Sequence, residues 1–222
     1  AEAAGCEVLV LTVDLPVGSN RETFERYVGK DTRDCSLCHE VGGDDPDPMN
    51  YPLGRLLRKP MFQGLDMREV TFDTSSLTWD FIRRLKDLTE MKVMLKGIVR
   101  DDDAQRCLDV GADGIIVSNH GGRAEPSGRS TIESLPEIVN VVRGRIPVLV
   151  DSGFRRGTDI LKALALGADA ICVGRPYIWG MATFGQEGIE AVLDILRAEL
   201  RLAMQLHGVS SLADLDRSFV TG

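Results

Sequence analysis

An α/β fold built on a parallel sheet is what this sequence predicts, and three observations predict it. Short, β-branched apolar runs alternate with stretches of helical periodicity at βαβ spacing. Each apolar run ends in a polar or charged residue, as strands do when they feed one shared rim. The phrase Asp109-Val110-Gly111-Ala112-Asp113-Gly114-Ile115-Ile116-Val117 recurs as Ala165-Leu166-Gly167-Ala168-Asp169-Ala170-Ile171-Cys172-Val173. A helix end, Gly-Ala-Asp and then a strand is the internal repeat expected of a (β/α)8 TIM-barrel type fold. Such a barrel needs eight strands and ~250 residues. The 222-residue chain offers about five βα units plus a C-terminal helix.

In chain order, Cys6 to Val13 is a buried strand that leads to Asp14. From about 15 to 77 the periodicity disappears among prolines and an Asp44-Asp45-Pro46-Asp47-Pro48 run. A long insert of this kind suits a lid-like loop. Trp79 to Leu88 has helical spacing with Thr78 as N-cap, and Val93 to Leu95 is a strand ending at Lys96-Gly97. Asp101 to Val110 is a helix stopped by Gly111. Gly114 to Val117 is the central strand and Thr131 to Arg143 a helix whose Pro136 is expected in its first turn. Pro147 to Val150 is a strand, Thr158 to Leu166 a helix, Ala170 to Val173 a strand, and about Glu187 to Leu206 the last helix.

Composition narrows the function. Lys plus Arg number 26 against 34 Asp plus Glu, a formal net charge of −8, with no basic stripe, which argues against nucleic acid as a partner. No apolar run is long enough to cross a bilayer, and the first residues lack the features of a signal peptide. There is no initiating Met, so a segment of something longer is expected. Five cysteines in mostly apolar contexts suit reduced thiols and a cytoplasmic location.

The chemistry gathers at Ser118-Asn119-His120-Gly121-Gly122-Arg123, just past the central strand. His120 can take a proton and Arg123 can grip a carboxylate in two-point fashion. Asp14 could orient His120 and stabilise its protonated form, and Arg21 could add a second guanidinium. Lys96 at its strand end offers a fixed charge for a cofactor anion. In Asp151-Ser152-Gly153-Phe154-Arg155-Arg156-Gly157 and in Gly174-Arg175, glycines and arginines sit where barrels bind phosphate. The plainer alternative is an Arg-rich turn paired with Asp151 or Asp159. Cys35-Ser36-Leu37-Cys38-His39 matches the covalent haem pattern in form, yet without an export signal or further ligand a loop coincidence is preferred, and no metal is expected.

Together these segments resemble the FMN-dependent α-hydroxy-acid oxidases and dehydrogenases, which include glycolate oxidase, lactate oxidase, mandelate dehydrogenase and flavocytochrome b2. The residues that carry the resemblance are Leu11-Thr12-Val13-Asp14-Leu15-Pro16 with Asn20-Arg21-Glu22, Leu95-Lys96-Gly97, Ser118 to Arg123, Asp151 to Gly157, and Val173-Gly174-Arg175-Pro176. The resemblance implies the C-terminal portion of an FMN barrel that oxidises an L-2-hydroxy acid to the 2-oxo acid. His120 would be the base and Asp14 its support, with Arg123 and Arg21 on the substrate carboxylate. Thr12, Lys96 and Ser118 would contact the flavin, and Gly121 belongs to the same cofactor surface. Asp151, Gly153, Arg155, Gly174 and Arg175 would hold the ribityl-phosphate end. The implied partners are a small 2-hydroxy acid and an electron acceptor (oxygen, a quinone or a cytochrome), with a homo-oligomer in the full-length parent.

Two departures stand out. The central motif continues as Ala124-Glu125-Pro126 where the family has Gln-Leu-Asp, and Ser152 replaces the first glycine of the usual Asp-Gly-Gly. The family's first three βα units are expected to be absent from these residues. Two other readings compete: a flavin- or phosphate-binding half-barrel inactive without its N-terminal half, and another FMN barrel such as type 2 isopentenyl diphosphate isomerase.

Overall fold

The computed structural model describes residues 1–15, 26–27, 30, 32, 77–124 and 127–221. The chain divides into two units, 1–17 with 74–222 and 18–73. The expected lid-like stretch at about 15–77 lies almost wholly outside the described residues, as do Arg21, Cys35, Cys38 and His39.

The first unit is a five-stranded parallel sheet. Its strands are β1 (Val8–Thr12), β2 (Lys92–Ile98), β3 (Gly114–Val117), β4 (Val148–Val150) and β5 (Ala170–Ile171), hydrogen-bonded in sequence order β1-β2-β3-β4-β5. A parallel order that never reverses is that of a barrel wall; a doubly wound sheet would switch direction partway. The crossovers are α1 (Trp79–Asp87), α2 (Asp101–Asp109), α3 (Thr131–Val142) and α4 (Gly157–Ala165); α5 (Arg175–Leu206) follows β5, and two short 3-10 helices, Leu212–Asp214 and Arg217–Phe219, come after it.

The inner apolar runs become strands because β-branched residues fit a pleated surface covered on both faces, whereas β1, expected to be buried, leaves Val8 and Val10 exposed because it is the edge strand of the described sheet. All four residues of β3 are buried, and Val93, Leu95, Ile115, Val117 and Val150 meet the inner faces of the helices. On α3, Leu135 and Ile138 are wholly buried, so Leu135→Ala would cost about 2–5 kcal/mol through lost contact and a residual cavity.

The repeated Gly-Ala-Asp phrase has a structural reason. The Asp113 carboxylate accepts the Val93 amide at 2.8 Å while its own amide donates to the Val93 carbonyl. The Asp169 carboxylate accepts the Val148 amide at 2.7 Å, and its amide donates to the Val148 carbonyl. Each aspartate thus stitches the start of its strand to the strand before it.

Two elements differ from the sequence expectation. Pro136 is the sixth residue of α3 and lies in its second turn, because Glu133 accepts the Ser130 amide at 2.7 Å and fixes the helix start upstream. The last helix begins at Arg175, twelve residues before the expected Glu187. Pro176 near its first position favours that start, and a kink at Phe184 and Gly185 hides the continuity.

Candidate functional site

The rim is built where the C-terminal ends of the strands meet. At the end of β2 the register slips between Lys96 and Ile98, a bulge made at Gly97 with φ of 112°. A Cβ at Gly97 would stand 2.5 Å from the Asp14 Cβ. Only glycine lets Asp14 lie this close to the sheet.

Asp14 is nearly buried, and its Oδ1 lies 3.1 Å from His120 Nδ1. A carboxylate only accepts, so Nδ1 carries the proton and Nε2 keeps its lone pair. The other oxygen, Asp14 Oδ2, is buried with no hydrogen-bond partner among the described residues, and Lys96 Nζ stands 4.0 Å away. An imidazole backed by a buried carboxylate, with no bond to Nε2 among the described residues, can act as a base when neutral.

His120 has φ of 56°, followed by Gly121 at 72° and Gly122 at 76°. This left-handed turn is costly for an imidazole-bearing residue and is held from several sides. Ser118 Oγ accepts the His120 amide at 3.2 Å and the Lys96 ammonium at 2.9 Å. Asn119 Oδ1 accepts the Gly122 amide at 2.9 Å. Arg123 Nε donates to the His120 carbonyl at 3.0 Å, so the guanidinium and the imidazole share one turn.

Beyond the turn lies a cavity of about 550 Å³, ample for a cofactor-sized ligand. Lys96, His120, Gly121, Arg123, Asp151, Gly153, Arg155, Gly174 and Arg175 all line it. Ser118 lies fully buried beneath, Asp14 stands behind His120, and Thr12 pairs with Lys96 in the sheet. Thr12 is not among the lining residues. Of the expected site residues, only Arg21 falls outside the described ones.

In the loop after β4, among the described residues, neither arginine guanidinium pairs with Asp151 or Asp159, while Arg156 Nη2 lies 3.2 Å from Glu199 Oε1. Asp159 uses Oδ2 to accept the amides of Arg155 and Arg156, at 3.0 and 2.9 Å. Asp151 faces Lys96 Nζ at 3.4 Å and accepts from Ser152 at 2.6 Å. Among the described residues, the Arg155 guanidinium meets neither carboxylate; it lies 5.0 Å over the Trp179 ring. The first turn of α5 has no side-chain cap, since Gly174 is its N-cap. At Gly153 and Gly174 an added Cβ would meet nothing within 4 Å, so backbone is open to a ligand on both loops. Two guanidinia, an uncapped helix start and bare glycine backbone suit a phosphate dianion. Lys96, further along the same cavity, suits the electron-rich edge of a flavin. The donor set therefore fits FMN.

Several lining residues carry no clear sequence signal. Tyr177 and Ile178 enter through the first turns of α5, which the late helix start conceals. Ser152 shows only as a departure from glycine. Cys172 also lines the cavity; burial first, then the Asp151 charge, push its thiol pKa up, which disfavours the thiolate.

A family profile described as FMN-dependent dehydrogenase matches residues 1–222. Over 221 residues the chain is 43% identical to a 2-hydroxyacid oxidase of Dictyostelium discoideum, covering 99% of this chain and 53% of that protein. It is 42% identical over 222 residues to an L-lactate oxidase of Nostoc sp., covering 99% and 58%. Among solved structures, a mandelate oxidase with (S)-2-phenylpropionate matches with a TM-score of 0.73 at 37% identity, over 97% of this chain and 55% of that one. A flavocytochrome b2 variant with pyruvate bound gives 0.72 at 32% identity, over 97% and 48%. The chain spans about half the length of the curated relatives it matches. Matched from end to end, it belongs to the FMN-dependent dehydrogenase family, TIM-barrel flavoenzymes whose cofactor is FMN.

Proposed function

We propose that the full-length protein oxidises an L-2-hydroxy acid to the 2-oxo acid. The observation that carries this reading is the 3.1 Å contact of His120 Nδ1 with buried Asp14, on a turn that also presents Arg123 to the cofactor-sized cavity. His120 Nε2 takes a proton from the substrate, and Asp14 stabilises the imidazolium that results. Arg123 holds the substrate carboxylate and so sets which carbon faces the base. FMN, when bound, would take up the two electrons and the remaining proton that leave the substrate. Lys96, tied to Ser118 and facing Asp151, holds a positive charge beside it. Oxygen, a quinone or a cytochrome takes the electrons onward.

The related names support the substrate class: a 2-hydroxyacid oxidase, an L-lactate oxidase and a mandelate oxidase resemble this chain over nearly its whole length. The test is anaerobic addition of L-lactate, glycolate or L-mandelate to the full-length, FMN-loaded protein, followed at the flavin absorbance band. Bleaching by one of them is expected. Arg123→Lys should weaken substrate binding more than FMN binding, because a point charge replaces a fork. Flavin binding without bleaching by any 2-hydroxy acid would refute the proposal and favour a binding module.

A further inference from the structure

Ser152 stands where a glycine would be unstrained, and its hydroxyl is fully engaged. Its φ is 75°, a left-handed value that side chains rarely adopt. The hydroxyl accepts the Gly121 amide at 2.9 Å and donates to Asp151 Oδ1 at 2.6 Å. Thr131 Oγ1 holds the same loop from behind by donating to the Asp151 and Ser152 carbonyls.

These bonds close a ring. From Gly121 it runs through Ser152 to Asp151, across to Lys96 at 3.4 Å, on to Ser118 at 2.9 Å, and back to the His120 amide at 3.2 Å. The two amides that flank the His120 Cα are therefore each fixed by a serine hydroxyl. One serine, Ser118, belongs to the same strand end as His120. The other belongs to the loop after β4, thirty-one residues away in sequence. A strained backbone persists only where its surroundings over-determine it, and Ser152 supplies the restraint that comes from outside the turn.

We infer that Ser152 is a positioning residue, whose hydroxyl ties the loop after β4 to the left-handed turn and so holds His120 in line with Asp14 and the cavity. With glycine at this place the Gly121 amide would lose its acceptor. The inference rests on the reading of His120 as the base.

The experiment compares Ser152→Gly and Ser152→Ala with wild type in the full-length protein. Both variants remove the hydroxyl; only Ser152→Ala keeps a side chain at the positive φ. Hydrogen exchange by mass spectrometry of apoprotein peptides spanning 118–123 should show faster exchange in both. Anaerobic flavin reduction by substrate should slow in both by about fivefold to tenfold, the worth of one hydrogen bond. Its pH profile should move. Slowing in Ser152→Ala with wild-type behaviour in Ser152→Gly would trace the effect to strain and overturn the inference. Unchanged exchange and pH profile in both variants would overturn it as well. His120→Gln, run in parallel, separates the two levels. If it keeps more than a tenth of the reduction rate, the base assignment fails. If it abolishes reduction while the Ser152 variants behave as wild type, only the positioning role fails.

Discussion

Four aspartates sit at the two ends of one sheet, and they are used in different ways. At the N-terminal end, Asp113 and Asp169 each accept a backbone amide from the neighbouring strand and donate their own amide back. At the C-terminal end, Asp14 and Asp151 face ionisable side chains, His120 and Lys96, and one oxygen of Asp14 is buried with no hydrogen-bond partner among the described residues. A carboxylate bonded to backbone has a fixed task, and the strand depends on it. A carboxylate set against an imidazole can answer a change of charge there. The difference teaches that burial and residue type alone do not separate scaffold from chemistry; what sets the N-terminal pair apart is the backbone amide each carboxylate holds, since Asp113 also meets an ionisable partner, Lys86. It also agrees with the rule that the C-terminal face of such strands holds function and the N-terminal face holds stability.

The largest expected effect comes from exchanging the partner without changing shape. In the full-length protein, Asp14→Asn should cut flavin reduction by about 10²- to 10⁴-fold, since an amide neither stabilises the imidazolium nor enforces the Nδ1 tautomer. Thermal unfolding should shift little. A reduction rate within threefold of wild type would break the comparison at its functional end. Next is Gly97→Ala, which keeps every charged group but forces a Cβ against Asp14 at a φ of 112°. Slowed reduction is expected with FMN affinity retained, because Lys96 and the phosphate loops are untouched. Wild-type rates in this variant would mean that Asp14 has slack in its seat.

At the other end, Asp169→Ala should cost about 1–3 kcal/mol of stability, the usual consequence of leaving a buried amide without its acceptor. Denaturant unfolding measures it. The rate of flavin reduction per folded molecule should stay at the wild-type value. A variant with full stability and slowed reduction would reverse the roles assigned to the two ends.

Much of this arrangement is legible in the sequence, for a physical reason. Parallel strands are buried on both faces, so Gly114 to Val117 and Val148 to Val150 read as continuous apolar runs, and Gly111 and Gly167 end the preceding helices. The polar residue after each run marks the rim. The contact between Asp14 and His120, 106 residues apart, follows from chemistry: a lone histidine at a strand end calls for a carboxylate. What is not legible depends on distance or backbone geometry. Nothing near Ser152 announces a bond to Gly121, and Lys96-Gly97 does not show whether its glycine is a bulge or a mere strand end. The start of α5 is hidden because Gly174, Pro176, Gly180 and Gly185 all lower helical propensity, although a proline in the first turn is where a helix tolerates one.

The smallest expected effect is a pH dependence confined to the scaffold end. Burial works against ionisation of Asp113, but the hydrogen bond from the Lys86 ammonium, the Val93 amide and the charges of Lys86 and Lys92 outweigh it and hold its carboxyl below the usual range. A carboxyl whose folded pKa is depressed adds stability that is present above its unfolded value. That value is about 3.9 for aspartate, and the stability is lost as pH falls through it toward the folded pKa. Asp113→Asn keeps an acceptor for Val93 but cannot pair with Lys86, so it should be less stable than wild type at pH 7. As pH falls from about 5 toward 3, wild type should lose that advantage and the two unfolding free energies should converge. Other carboxylates titrate in both proteins and cancel in the difference. Denaturant unfolding of the full-length pair at pH 7, 5, 4 and 3 gives the curve. A gap that stays constant across the series would mean that Asp113 acts through shape alone, and the N-terminal aspartate would then owe nothing to its charge.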